Sequence, residues 1–95
     1  MKAKMYNTQK WVRITDEKYL RETFHNILGD SGFGVEKQIH KKFKPYGYTG
    51  LWLLSESHFA IHTFPEHQKA YIELSSCIKK PYKKFNRICK RLKLF

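Results

Sequence analysis

The chain has 95 residues, of which 41% are hydrophobic and 16% aromatic, enough to build one packed core and too many for a disordered protein. With 19 Lys and Arg against 8 Asp and Glu, its formal net charge is +11, so nucleic acid, acidic lipid and phosphorylated metabolites are all conceivable partners. Two cysteines are too few for a disulfide-stapled secreted fold, and there is no CxxC zinc motif. Because no apolar run approaches about 20 residues and no signal-peptide core is present, we predict one soluble, cytoplasmic domain over residues 1–95 with no membrane partner.

The first third of the chain predicts a strand followed by a helix. The strand is expected at residues 9–14. Thr15 and Asp16 then offer an N-cap, and Gly29 is placed to end the helix before a loop over residues 29–34. The helix presents one apolar stripe at i, i+4, i+7 and i+8, formed by Leu20, Phe24, Ile27 and Leu28.

The rest of the chain predicts four strands and a second helix. Pro81 at a first-turn position opens that helix, whose apolar stripe makes Cys89 a core residue. The resulting order, β-α-β-β-β-β-α, predicts an α+β two-layer sandwich in which an antiparallel sheet carries both helices on one face. The four strands are expected at residues 35–43, 50–55, 57–64 and 69–77, and the helix at residues 81–94.

Basic residues are concentrated at the end of the sequence. Eight of the 19 lie from Lys79 onward, and that stretch contains no Asp or Glu. A charge run of this kind most often marks the solvated face of a helix, although it also suits an anionic partner.

Groups capable of covalent chemistry are concentrated between two apolar strands and at the end of the next strand. Ser57 could serve as a nucleophile, His62 as a proton carrier, and Cys77 as an acid or thiolate. Each also has a purely structural interpretation, as a strand-end hydroxyl, a sheet histidine and a small buried side chain. The segment from Glu56 to His58 could likewise be a polar turn, although such turns favour Asn-Gly or Asp-Gly. Both interpretations stay open on these grounds.

His58, His62 and Glu66 recur every four residues, a spacing that raises the question of a metal site. Two histidines four apart on a strand lie roughly 13 Å from each other, too far for one ion. Pro65 also interrupts the strand before Glu66. We therefore predict no metal.

One stretch of sequence resembles a known family. Residues 56–66 read Glu-Ser-His-Phe-Ala-Ile-His-Thr-Phe-Pro-Glu, and Cys77 follows after one strand. This resembles the hallmark of the bacterial and archaeal S-adenosylmethionine decarboxylases, Glu-Ser-His-x-x-Ile-His-Thr-Trp/Phe-Pro-Glu with a later Cys. Residues 43–49, Phe-Lys-Pro-Tyr-Gly-Tyr-Thr, also resemble the family's Phe-Ser-Pro-x-Gly-Val-Ser.

The resemblance implies a proenzyme that cuts itself between Glu56 and Ser57. In the family the serine hydroxyl attacks the preceding carbonyl to form an ester, and β-elimination then leaves a pyruvoyl cofactor, here derived from Ser57. The pyruvoyl group binds the amine of S-adenosylmethionine and acts as the electron sink when CO₂ leaves. The product supplies aminopropyl groups for spermidine synthesis.

The resemblance also assigns expected roles to individual residues. His62 matches a histidine that assists the elimination, and Cys77 matches the acid that returns a proton to the α-carbon. Phe43 matches an aromatic that stacks on adenine, and Glu66 a carboxylate that holds the ribose hydroxyls. Thr49 replaces a serine that supports processing. Family members pair as homodimers with active sites near the interface, which we expect here too.

Two alternatives remain beside this favoured hypothesis. A pyruvoyl-dependent decarboxylase of ornithine or arginine would share Ser57, His62 and Cys77 but would have no use for Phe43 and Glu66. A non-enzymatic, unprocessed relative could instead bind nucleic acid or an acidic partner through its basic helix.

Overall fold

The computed structural model describes residues 3–95, so residues 1 and 2 of the predicted domain lie outside the described part. Five strands and two α-helices follow one another in the predicted order. Neither helix is long and apolar enough to cross a membrane, among the residues described. The bounds are β1 Tyr6–Val12, α1 Glu17–Ser31, β2 Val35–Lys42, β3 Tyr48–Leu54, β4 Ser57–Phe64, β5 Lys69–Ser76 and α2 Lys79–Arg91, with a 3₁₀-helix at Pro65–His67 between β4 and β5.

All five strands form one antiparallel sheet in the order β1-β5-β4-β3-β2. Strands β2 to β5 are a simple meander, which short connections allow between antiparallel neighbours. Helix α1 carries the chain from β1 at one edge to β2 at the other, and α2 follows the last strand. Both helices pack on the same face, so the predicted α+β two-layer architecture is confirmed.

The core lies between the helices and this face of the sheet, which we call the helix face. Alternate residues of β3, β4 and β5 point into it, and the predicted stripe of α1 meets them with almost no exposure. Cys89 of α2 is fully buried, as predicted, and burial raises the pKa of its thiol to about 12. Gly50 is required here because any side chain at that position would collide with the rings of Tyr48 and Trp52. The aromatic centre of the core consists of Phe24, Trp52, Phe59 and Phe85.

Helix α1 is longer than predicted. The prediction that Gly29 ends it is wrong, because the helix continues to Ser31 and the cap is Gly32 at φ 103°. Glycine adopts this left-handed conformation without steric cost, and Phe33 then donates its N–H to the carbonyl of Leu28. The predicted start is confirmed, since the Asp16 side chain accepts the N–H of Tyr19.

The other predicted bounds shift by a few residues. Strand β1 begins at Tyr6 and ends at Val12, earlier than predicted, because its length is fixed by pairing with β5. Helix α2 begins at Lys79, which leaves Pro81 inside the first turn, and ends at Arg91. It stops short of residue 94 because Lys93 is left-handed, at φ 60°, and the final residues fold back onto the core.

The opposite face of the sheet, which we call the open face, has no covering element among the described residues. In β3, β4 and β5 one set of alternate side chains is buried on the helix face, and the other set points to this face. Large hydrophobic side chains on it are between 37% and 66% exposed: Trp11, Ile39, Leu51, Leu53 and Phe64.

Candidate active site

The Glu56–Ser57 peptide bond lies at the tight turn between β3 and β4. Ser55 and Glu56 form the two-residue turn, because Leu54 and Ser57 are already paired across the hairpin. Glu56 is left-handed, at φ 59°, a conformation that costs a residue with a side chain about 1–2 kcal/mol. The polar-turn interpretation is therefore right about the backbone, but the turn holds a carboxylic residue where glycine or asparagine is usual.

The carbonyl oxygen of Glu56 is the focus of two hydrogen bonds from Cys77. The backbone N–H of Cys77 donates to it at 3.4 Å, and the thiol Sγ donates at 3.2 Å. Pairing of Ser57 with Ser76, the last residue of β5, brings Cys77, which follows the strand, beside Glu56. Two donors aimed at one carbonyl oxygen would stabilise negative charge that develops there during nucleophilic attack.

The hydroxyl of Ser57 is held by a second serine that the sequence analysis did not identify. Ser57 is 7% exposed and donates to Oγ of Ser76, which is fully buried, at 2.7 Å. Ser76 also accepts the N–H of Ile78 at 2.9 Å and directs its own proton towards the Ile78 carbonyl oxygen at 3.3 Å. The proton of Ser57 is thus engaged, while the oxygen keeps its lone pairs. We call Glu56, Ser57, Ser76 and Cys77 the cleavage group.

The remaining predicted site residues lie together at the other end of the hairpin. Thr49 and His62 are cross-strand partners, and Oγ1 of Thr49 lies 3.0 Å from Nδ1 of His62. Phe43 and Glu66 line the same open cavity of about 290 Å³, in which Phe64 supplies a further aromatic ring. An imidazole, a carboxylate and exposed aromatic rings around one cavity could take a ligand with a flat ring and hydroxyl groups. We call these residues the histidine pocket.

One chain does not bring its cleavage group and its histidine pocket into contact. Ser57 and His62 are five residues apart on β4, which corresponds to roughly 16 Å along a strand. Being an odd number apart, they also point to opposite faces, Ser57 to the helix face and His62 to the open face. Ser57 and Cys77 are close together, whereas His62 is remote from both.

The histidines do not converge on a metal site. Within residues 3–95 there is no cluster of three or more His, Cys, Asp or Glu side chains suited to hold an ion. His58 lies on the open face at the start of β4. His62 lies near the other end of that strand, and Glu66 follows it.

Comparison with known proteins gives the relationship directly. The family model for S-adenosylmethionine decarboxylase matches residues 3–94. S-adenosylmethionine decarboxylase proenzymes from Bacillus velezensis and Parasynechococcus marenigrum are 38% and 40% identical over 65 residues, which is 68% of this chain and 52% and 51% of theirs. The chain therefore spans about half the length of the curated relatives it matches.

A solved structure shares the fold. The crystal structure of the adenosylmethionine decarboxylase from Aquifex aeolicus superposes with a TM-score of 0.75 at 24% identity, covering 99% of this chain and 84% of that one. Fold and sequence thus agree over almost all the described residues, and the chain belongs to the S-adenosylmethionine decarboxylase family.

Proposed function

We propose that this protein is a self-processing, pyruvoyl-dependent decarboxylase that acts on S-adenosylmethionine. The observation that carries the proposal is the cleavage group, where a constrained turn, a nucleophilic hydroxyl and two donors to one carbonyl oxygen meet at Glu56–Ser57. Family membership supports the same chemistry, and the relatives named above are described as proenzymes.

The first step of processing needs only the cleavage group. Oγ of Ser57 attacks the Glu56 carbonyl carbon, and the Cys77 N–H and thiol stabilise the oxygen as it becomes negative. The C–N bond then breaks, the Ser57 nitrogen takes up a proton, and an ester joins Glu56 to the Ser57 side chain. Relief of the left-handed Glu56 backbone favours this rearrangement.

The second step needs a base that the cleavage group lacks. Removing the α-proton of Ser57 expels the Glu56 carboxylate from the β-carbon, and addition of water with loss of ammonia leaves the pyruvoyl group. His62 is the proposed base, held by the Thr49 hydroxyl at its Nδ1 so that Nε2 is free. Because its own Ser57 is roughly 16 Å away, this imidazole would have to act on a second copy of the chain.

The open face offers the surface for that second copy. Ile39, Leu51 and Leu53 line an apolar depression of about 380 Å³ on it, and Trp11 and Phe64 extend the exposed apolar surface. Hydrophobic side chains grouped on one exposed face are a feature of protein–protein contacts. We propose a homodimer in which two open faces stack in opposite directions, so that the cleavage group of each copy meets the histidine pocket of the other.

The residues present suit the cofactor and substrate of the proposal. The pyruvoyl group would be held at position 57 by the chain itself, and once formed it supplies the electron sink for decarboxylation. Cys77, whose thiol already lies beside this position, is the proposed proton donor to the α-carbon. Phe43 would stack on the adenine and Glu66 would accept the ribose hydroxyls in the histidine pocket. A cytoplasmic location and a contribution to spermidine synthesis complete the proposal.

Intact mass of the freshly purified protein tests the processing. We expect two fragments, residues 1–56 and a pyruvoyl-blocked 57–95, while Ser57→Ala stays a single species. Ser55→Ala, on the other residue of the same turn, is the matched control and should be cut like the natural protein. A single uncut species for the natural protein would contradict the proposal.

Release of CO₂ by the processed protein tests the substrate. We expect activity on S-adenosylmethionine, lost on Phe43→Ala and Glu66→Gln while self-cleavage persists. Activity on ornithine or arginine that neither substitution affects would overturn the nucleoside substrate and leave the processing chemistry standing.

A further inference from the structure

The positive charge of this protein is segregated onto one element. The stretch from Lys79 to the end holds eight basic and no acidic residues, so the other eleven basic residues nearly balance all 8 Asp and Glu of the chain. All eight are exposed. Helix α2 and its tail thus carry most of the net charge of +11.

The helical period arranges these cations in one continuous stripe. Residues three and four apart lie on the same side of a helix, and the stripe follows this spacing along the solvent side of α2. It extends over roughly 17 Å at 1.5 Å per residue. We call its members the α2 surface: Lys80, Lys83, Arg87, Lys90 and Arg91.

Neutral hydrogen-bonding groups lie beside the α2 surface. Tyr82 and Asn86 join Lys83, Arg87 and Lys90 around a shallow groove. The Asn86 amide and the Tyr82 hydroxyl are tied to Thr8 of β1, which fixes this side of the groove. Arginine, lysine, asparagine and tyrosine are among the side chains that contact nucleic-acid phosphates.

Nothing within the described chain neutralises this charge. The two ion pairs among residues 3–95 both use Glu17 of α1, which binds Arg21 of the same helix and Lys42 at the end of β2. The α2 surface is therefore available to an external anion, and its cations repel one another until one binds.

The packing of α2 favours nucleic acid over a lipid bilayer. A helix that lies in a membrane interface inserts an apolar side, but Phe85 and Cys89 are fully buried in the core here. Leu92, just beyond the helix, is the exposed exception and stands alone. A row of cations about 17 Å long without an insertable apolar side matches a line of backbone phosphates instead.

We propose that the α2 surface binds the phosphodiester backbone of duplex nucleic acid without reading its sequence. The surface lies on the helix side of the molecule, away from the open face, so binding does not require pairing between copies. Each cation contributes one phosphate contact, and counterion release supplies most of the affinity.

Fluorescence anisotropy with a labelled duplex of about 24 base pairs, made once as DNA and once as RNA, tests this. With five phosphates neutralised, log affinity should fall against log salt with a slope of about −4.5, a loss of about 500-fold between roughly 50 and 200 mM NaCl. The triple substitution K83Q/R87Q/K90Q should reduce the slope to about −2.

A matched control separates this surface from net charge. K18Q/R21Q/K42Q removes the same three charges from around Glu17 on α1 and should keep the natural slope. Equal weakening by both triple variants would overturn the proposal. It would also be overturned if the protein bound neither duplex at about 50 mM NaCl. Tighter binding to vesicles with about 30% phosphatidylserine than to either duplex at equal salt would also overturn it.

Discussion

The two faces of the sheet use the same strands for different purposes. On the helix face, alternate residues such as Phe59, Ile61 and Leu74 are buried by α1 and α2 and hold the domain together. On the open face, their neighbours Leu51 and Leu53 remain about half exposed.

This difference divides the candidate catalytic residues as well. Ser57 belongs to the helix face, where Ser76 holds its hydroxyl, whereas His62 belongs to the open face beside Thr49. A buried hydroxyl can be positioned by the fold alone. A proton carrier on an uncovered sheet gains a reaction partner only when something covers that sheet, which makes association part of the proposed chemistry.

The contrast in stability between the faces gives the largest expected effect. Phe59→Ala, on the helix face, should lower the free energy of unfolding by about 3–5 kcal/mol because the core cannot refill the space. Phe64→Ala, on the open face of the same strand, should cost less than about 1 kcal/mol at protein concentrations where no dimer forms. Urea unfolding of each variant in the uncut Ser57→Ala background measures both costs, and equal costs would contradict the assignment of the faces.

Self-association should depend on the open face and not on the helix side of the molecule. L51A/L53A should weaken dimer formation at least tenfold, because these side chains form the apolar depression of the open face. Leu92→Ala, which truncates an equally exposed leucine beyond α2, should leave association unchanged. Sedimentation velocity distinguishes the two results. A double variant that associates as well as the natural protein would exclude the open face as the interface.

Removal of the Ser76 hydroxyl should slow self-cleavage about tenfold. This loss corresponds to about 1.4 kcal/mol of transition-state stabilisation, in the range of one hydrogen bond, because Ser57 then lacks its partner. Ser76→Thr should restore the rate, and Ser75→Ala, one residue earlier on the other face, should not change it. Mass spectra at successive times after cell-free synthesis of each uncut chain measure these rates. Normal cleavage by Ser76→Ala would remove Ser76 from the mechanism.

Cys89 should produce the smallest effect, on the pH dependence of stability. Its pKa is raised to about 12 by burial, from an ordinary value of 9.0, so the unfolded chain loses this proton before the folded chain does. The contribution of the protonated Cys89 thiol to the free energy of unfolding is complete below about pH 9. It is lost as the pH rises towards 12.

The cost of Cys89→Ala should consequently be smaller at about pH 10.5 than at about pH 8. Urea unfolding at each pH, with and without Cys89→Ala in the uncut Ser57→Ala background, checks this, and Ser75→Ala, which removes no titrating group, serves as the control. A cost that does not change with pH would contradict the proposed proton linkage.

Sequence patterns predicted the fold well where local chemistry decides it. The bounds of β4 and the Asp16 cap are confirmed, because strand alternation and capping depend on neighbouring residues. The continuation of α1 through Gly29 was not predictable from composition alone. No atom lies close to that glycine, so it does not force the helix to end. The buried Ser31 stabilises the last turn, because its side chain packs in the core and its hydroxyl donates to the Ile27 carbonyl.

The candidate site was predictable residue by residue but not in its arrangement. The motif supplied Ser57, His62 and Cys77, yet only the β4–β5 register places Ser76 against Ser57. The division between faces was implicit, since positions 57 and 62 of one strand have opposite parity. The sequence of one chain does not show how a second copy would bring the cleavage group and the histidine pocket together.

Complementation between two inactive chains tests the composite site most directly. Ser57→Ala cannot be cut, and His62→Ala lacks the proposed base, so neither should process when expressed alone. In a mixed dimer the intact His62 of the first chain faces the intact Ser57 of the second. Random pairing of co-expressed chains places about half of the His62→Ala chains in such dimers.

Intact mass should then show up to about half of the His62→Ala chains cleaved at Glu56–Ser57, and none of the Ser57→Ala chains. Cleavage of His62→Ala chains that is no greater in the mixture than alone would contradict a site shared between two copies.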